Sequence, residues 1–263
     1  MRFRRSKIKR INNEKGTMLL TQYQAGADAL NSLNQTEEGG SKAEFASFKS
    51  GTTYHVKVLG TADLISFYSY GIYKQVNSFV AKNPSKKSAK GYPIENLTPW
   101  DLAWKYHKDL SDDFSDSHGQ EAAKYRAKQR FALGFFDLES GEPIIIDLSK
   151  NQAQAVHGAI KKYEKRLGRI AFELSKEGSG TATAVSLTPV LDMEEDLTDK
   201  QRANFDKAPE SFDMSLFDGL LYEADDDEQI ENLIKAGFDV SLIGLEAPAG
   251  DESSGISDEE VPF

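Results

Sequence analysis

Two hairpins joined by one capped helix, between Gln129 and Leu191, constrain this chain more than any other stretch. Gln129 to Asp137 reads as a strand, Glu139-Ser140-Gly141-Glu142 as a tight turn, and Pro143 to Leu148 as the return strand. Ser149 and Gln152 have the spacing of a capping box. The helix behind them carries Ala153, Val156, Ile160, Tyr163 and Leu167 on one face, and Gly168 closes it. A second hairpin pairs Arg169 to Ser175 with Thr181 to Leu191 around Gly178-Ser179-Gly180.

Upstream, Met18 to Leu33 has the spacing of a short amphipathic helix, and Gln35 to Ser41 is a polar linker. Thr53 to Leu59 alternates as a strand, and Ile65 to Val80 supplies one or two more, with Gly71 as a break. Ala81 to Tyr92 is a lysine-rich loop with Lys82, Lys86, Lys87 and Lys90. Thr98 and Pro99 open a helix to about Leu110. A polar loop from Asp112 to Gly119 and a short helix through Ala122 to Tyr125 follow. The expected fold is mainly β (α+β): a five-stranded barrel of the oligonucleotide-binding (OB) layout, with a helix between the third and fourth strands and helical insertions. Residues 1-44 form an arm and short helix. The core is 45-192, with an insertion at about 82-119; an acidic helical region spans 193-245, and 246-263 is a disordered acidic tail.

Charge separates these parts. The chain of 263 residues has a net charge of −10. From Asp192 onward there are 22 Asp/Glu against 4 Lys/Arg, whereas residues 1 to 191 hold 28 basic and 20 acidic side chains. A basic body with an acidic end binds a polyanion through the body and competes for it, or recruits basic partners, through the end. Cysteine is absent, which excludes disulfides and thiolate metal sites, and the four histidines are scattered. No apolar run is long enough to span a bilayer, and Arg2 to Arg10 lacks the apolar stretch of a secretory signal. Glu14-Lys15-Gly16-Thr17 is compatible with an encoded purine-rich ribosome-binding sequence before Met18, so translation from Met18 is one reading of the first 17 residues. A flexible nucleic-acid-binding or self-association arm is the other.

A surface for unpaired nucleic acid needs cations along the backbone and aromatic faces for the bases. Tyr68, Tyr70, Tyr73, Lys74 and Lys82 cluster with Phe67 and Phe79; Lys105 and Tyr106 follow, then Tyr125, Arg126, Lys128 and Arg130. Most phenylalanines of a barrel are core, whereas tyrosine tolerates a half-wet stacking site. About half of these tyrosines are therefore expected to touch nucleic acid. Strand parity places Phe131, Leu133 and Phe135 on a bulky core face. Arg130, Ala132 and Gly134 share a small face that a sugar-phosphate chain can approach. Enzymatic patterns are poor. Gly178-Ser179-Gly180-Thr181 lacks the lysine of a phosphate loop, and Asp112, Asp113 and Asp116 read as a solvated loop before they read as metal ligands.

The end of the chain, Ser257-Asp258-Glu259-Glu260-Val261-Pro262-Phe263, resembles the acidic tip of bacterial single-stranded DNA-binding proteins. Phe263 joins an apolar ring to the terminal carboxylate, Pro262 stiffens the approach, and the acids suit a basic rim on a partner. Tyr125 to Leu191 resembles the core of the single-stranded DNA-binding proteins of tailed phages. The resemblance rests on Arg130-Phe131-Ala132-Leu133-Gly134-Phe135-Phe136, the turn Ser140-Gly141-Glu142-Pro143, the capped helix and the Gly178-Ser179-Gly180 hairpin. It implies a non-catalytic, sequence-tolerant protein without a cofactor, acting in the cytoplasm of the infected bacterial cell. Such a protein coats and protects single-stranded DNA during replication, recombination and repair, and recruits replication and recombination enzymes through Asp258, Glu259, Glu260, Val261, Pro262 and Phe263. A strand-annealing protein or recombination mediator is the alternative. The best-known relative has a zinc-binding insertion; here the insertion has no cysteine and only His107 and His118, so Trp100, Leu102 and Trp104 are expected to hold it.

Overall fold

The computed structural model describes residues 44–248. The first half of the sheet follows from alternation of apolar and polar residues: β1 is Thr53–Lys57, β2 Leu64–Ile72 and β3 Val76–Ala81. A separate two-stranded ribbon, β4 (Lys86–Lys87) and β5 (Pro93–Glu95), leads into helices α1 (Pro99–Leu110) and α2 (Ser117–Tyr125). Then come β6 (Lys128–Asp137), β7 (Glu142–Ser149), α3 (Lys150–Lys162), β8 (Phe172–Glu177) and β9 (Ala184–Pro189). The acidic region folds as α4 (Met193–Asp196), α5 (Asp199–Lys207), a two-residue strand β10 (Glu223–Ala224) and α6 (Asp226–Lys235).

The result is a mixed α+β structure around a large, mostly antiparallel sheet. Strand order is β10-β3-β2-β6-β1-β8-β9, with β7 on the other edge of β6. β6 is shared: β2 pairs with its first half, as in Leu64 opposite Leu133, and β1 with its end, as in Val56 opposite Asp137. The expected barrel had five closed strands; the observed sheet has eight and is open. β3 and β10 lengthen the edge beyond β2, and among the described residues β7 and β9 do not pair with each other. Helix α3 packs against β6, β7 and β9 and so lies across that gap. Its apolar face, Ala153, Val156 and Ile160, joins Leu133, Phe135, Ile146, Leu148, Phe172, Leu174 and Leu187 in the main core. Each such large side chain contributes about 1.5–3 kcal/mol by leaving water. The helix ends earlier than the sequence suggests: Tyr163 leaves helical geometry and a single 3-10 turn, Glu164–Arg166, follows.

The acidic region forms helices because its acids sit at helix starts, where the dipole and the free N–H groups favour them. Asp225 accepts from the Glu228 amide at 3.1 Å, and Glu228 accepts from the Asp225 amide at 3.0 Å. Apolar residues between the acids hold this region on the sheet. Phe205 packs with Phe136, Leu138 and Val190, while Phe212, Phe217 and Leu220 cover Ala132 and Ile145. Ile230, Leu233 and Phe238 close a second core around Trp100.

The insertion is held by apolar packing and one buried polar network. Trp100 is fully buried against Tyr70, Phe79 and Tyr125, and its indole N–H donates to the Gln229 carbonyl at 3.0 Å. Thr98 caps α1 by accepting from the Asp101 amide. Asp101, 1% exposed, accepts from the Tyr70 hydroxyl at 2.9 Å, from Ser85, and from the Lys87 ammonium at 3.1 Å. This network ties β2 and the β4–β5 ribbon to α1. Asp116 caps α2 through the Gly119 amide and also accepts from the Asp112 and Asp113 amides. The hydrogen bonds from Asp113 and Gly119 lower its carboxyl pKa to about 2.

Asp101→Ala leaves the Lys87 ammonium buried without its counter-charge and is expected to cost about 3–5 kcal/mol in urea unfolding; a loss below about 1 kcal/mol would contradict the network's role. His107 and His118 place their Nδ1 atoms 3.0 Å apart, and His107 stacks on Tyr125. Burial first, then the neighbouring His118, holds the His107 pKa below its ordinary value of 6.5. The stability this favours is present above pH 6.5 and lost as pH falls through 6.5 towards the folded value. His107→Gln is therefore expected to lose less stability than the wild type between about pH 7.5 and 5; equal losses would exclude the pair as a titrating contact.

Candidate nucleic-acid interface

The bulky and small faces of β6 are divided as parity requires. Leu133 and Phe135 are in the main core, with Phe131 against it. The opposite face is small, but its middle is not open. A Cβ on Gly134 would stand 2.4 Å from the Phe212 ring, so this glycine is the space that the phenylalanine occupies. The approach expected over Ala132 and Gly134 is corrected accordingly: apolar side chains of the acidic region fill it, because the face is flat and apolar and Phe212, Phe217 and Leu220 gain more by leaving water than by staying in it.

Beyond this cover, at the N-terminal end of β6, the same face opens into a groove of about 290 Å³. Its walls include Ser69, Gly71, Tyr73, Lys74, Lys128 and Arg130. Tyr73 stands in the β2–β3 turn and is 87% exposed. Lys74, in a left-handed conformation with φ of 64°, places its ammonium 5.4 Å from the Tyr73 ring. Gly71 is required by a φ of 138° and because a Cβ would press on Ser78 and Asn77 of the paired strand. An aromatic ring in water, with Lys74 over it and Lys128 in the same groove, matches the needs of an unpaired base and its phosphates.

A second groove of about 430 Å³ lies on the other side of β6. Tyr68, Lys90, Gly91, Arg126, Lys128 and Lys150 line it, so Lys128 borders both grooves. The Arg126 guanidinium is 4.9 Å from the Tyr92 ring, and Tyr92 stacks on Trp104 with centroids 5.9 Å apart. Such stacking holds the guanidinium flat and lowers the entropy it loses on binding.

The structure thus brings Tyr68, Tyr73, Lys74, Arg126, Lys128 and Arg130 to this end of the sheet. Arg130 is a wall rather than a free cation: its Nε and Nη2 donate to the Asp147 carboxylate at 2.8 and 2.7 Å. Two residues expected as platforms are buried: Tyr70, although it borders the first groove, and Tyr125. Tyr70 and Tyr125 are each 3% exposed. Desolvation, followed by the Asp101 charge, raises the Tyr70 pKa far above the phenolic range, and the hydroxyl remains a donor to Asp101. Lys82, Lys105 and Tyr106 line neither groove. Lys82 is on the β10 side, where its amide donates to the Ala224 carbonyl; Lys105 pairs with Asp109; Tyr106 packs on Phe238. Asp258, Glu259, Glu260, Val261, Pro262 and Phe263 lie outside the described residues, as does the N-terminal arm.

Lys90, Tyr92 and Lys150 escaped the sequence-based choice of site residues. Lys90 belongs to the lysine-rich loop and was visible there only as composition. Lys150 carries a better signal: it is the first residue of α3, whose opening turn has no acid, and a cation there opposes the helix dipole. Among the described residues no helix is long and apolar enough to cross a membrane. The sequence matches no protein-family model, and no curated protein shows significant similarity to it.

Proposed function

We propose that the protein is a non-catalytic, sequence-tolerant single-stranded DNA-binding protein whose sheet is an open variant of the OB layout. In this reading β1 and β2 together act as the first strand, β6 and β7 as the second and third, and β8 and β9 as the fourth and fifth. The pairings β2–β6, β1–β6, β6–β7, β1–β8 and β8–β9 support it, as does the position of α3 between the third and fourth strands. The single observation that carries the function is the groove whose walls combine exposed Tyr73 with Lys74 and Lys128. A side-chain surface of this kind stacks any base and holds any phosphate, which suits coating of exposed strands in phage replication, recombination and repair. The tail, by its resemblance to bacterial tips, recruits the enzymes of those processes.

Binding of labelled oligo-dT, duplex DNA and RNA, titrated at two salt concentrations, tests the reading. Single strands are expected to bind well above duplex, with affinity falling steeply as salt rises; equal binding to duplex, or none, sinks it. Tyr73→Ala is expected to cost about 1–3 kcal/mol of single-strand binding without lowering the melting temperature, because the ring has little to pack against. Full single-strand affinity in that variant would remove Tyr73 from the interface. For the tail, Phe263→Ala keeps every charge but empties an apolar pocket on the partner, so co-purification with replication enzymes should be lost while strand binding stays unchanged. Undiminished co-purification would leave the tail only a solvated polyanion.

A further inference from the structure

The cations of the second groove come from four separate places: Lys90 from the β4–β5 loop, Arg126 from the residue ending α2, Lys128 from the start of β6, and Lys150 from the start of α3. No carboxylate lines the groove. Four like charges around one concavity repel one another, and an anion that enters relieves the repulsion left after screening by salt. Lys150 adds to this cost, since it stands at the positive end of a helix with no acid in its first turn. The groove is also shaped from beneath. The buried Lys87–Asp101 pair anchors the ribbon that carries Lys90, and Gly91 leaves room for the Tyr68 hydroxyl, which a Cβ would approach to 3.0 Å.

We propose that this groove is a phosphate-binding subsite, which takes the sugar-phosphate backbone of the same single strand after it leaves the Tyr73 groove. Lys128, on the rim of both, is the crossing point. The strand then bends around the N-terminal end of β6 instead of following the sheet's outer face, where Phe212 stands over Gly134. The insertion becomes one wall of the interface, with Arg126 held ready by Tyr92. The inference rests on the single-strand reading above, and it fixes the path and the groups that grip the backbone.

The test compares the full chain with a Lys90→Ala/Lys150→Ala variant, using oligo-dT of about 4 and about 15 nucleotides, the range of site sizes for such folds. Both side chains are exposed, so a thermal melt should show an intact fold. The longer oligonucleotide is expected to lose affinity in the variant, and its log K against log salt slope to fall by about 1.4, at about 0.7 per cation removed. The shorter one, bound at Tyr73, should be unaffected. An unchanged slope and affinity for the longer strand, in a wild type that binds it, overturns this inference and leaves the single-strand reading standing. A wild type that binds no single strand overturns both. Inorganic pyrophosphate is titrated in parallel against the amide signals of Gly91 and Lys150. Signals that respond to pyrophosphate but not to the longer oligonucleotide would assign the groove to a free phosphate compound and refute the strand path.

Discussion

Pairing on both edges fixes β6 at the centre of the sheet. One edge is taken by β7 from Arg130 to Asp137, the other by β2 from Lys128 to Leu133 and by β1 at Phe136 and Asp137. From Arg130 to Leu133, where both edges are paired, this strand has no main-chain edge to offer a ligand by strand addition. Only its two faces and its N-terminal end are available for recognition. The inner face holds Leu133 and Phe135 in the core; the outer face is glycine and alanine under Phe212. What is left is the end, and that is where Lys128 stands between two grooves.

Charge is arranged to agree with this geometry. The acids of the C-terminal region are consumed largely in starting helices, and Asp192, Thr198 and Asp225 cap three of them. Apolar residues between those caps carry the region onto the sheet, so a strongly acidic stretch sits on the same body as the basic grooves without lining either. Near the grooves the ion pairs are selective. Asp147 takes Arg130 and Asp101 takes Lys87, while the lining of the second groove has no acid at all. Paired cations build the walls, and the cations without a carboxylate in the lining face the concavity.

Much of the scaffold was legible in the sequence. Both hairpins around α3, the Thr98 cap and the division of β6 by parity rest on local rules, namely turn chemistry, capping and alternation. The barrel was less legible, because closure depends on whether two strands far apart in sequence meet, and β10 is too short to alternate. The burial of Tyr70 and Tyr125 was equally hidden. A tyrosine in a mixed aromatic and lysine cluster has the same local pattern whether it faces water or a buried carboxylate such as Asp101; only tertiary packing around Trp100 decides. The cover by Phe212 lay in a segment whose acidity masks three apolar anchors. Lys90 and Lys150 are sixty residues apart in sequence, and only the tertiary fold brings both to the lining of one groove.

In the proposed binding mode a single strand engages the N-terminal end of β6, across Lys128, and not the middle of the strand. Backbone amide shifts recorded during titration with oligo-dT test it most directly. Perturbation of Gly71, Tyr73, Lys74, Lys128 and Gln129 is expected, with Ala132, Gly134 and Phe212 unmoved. Perturbation centred on Ala132 and Gly134, with release of Phe212 and a silent Lys128, would contradict it.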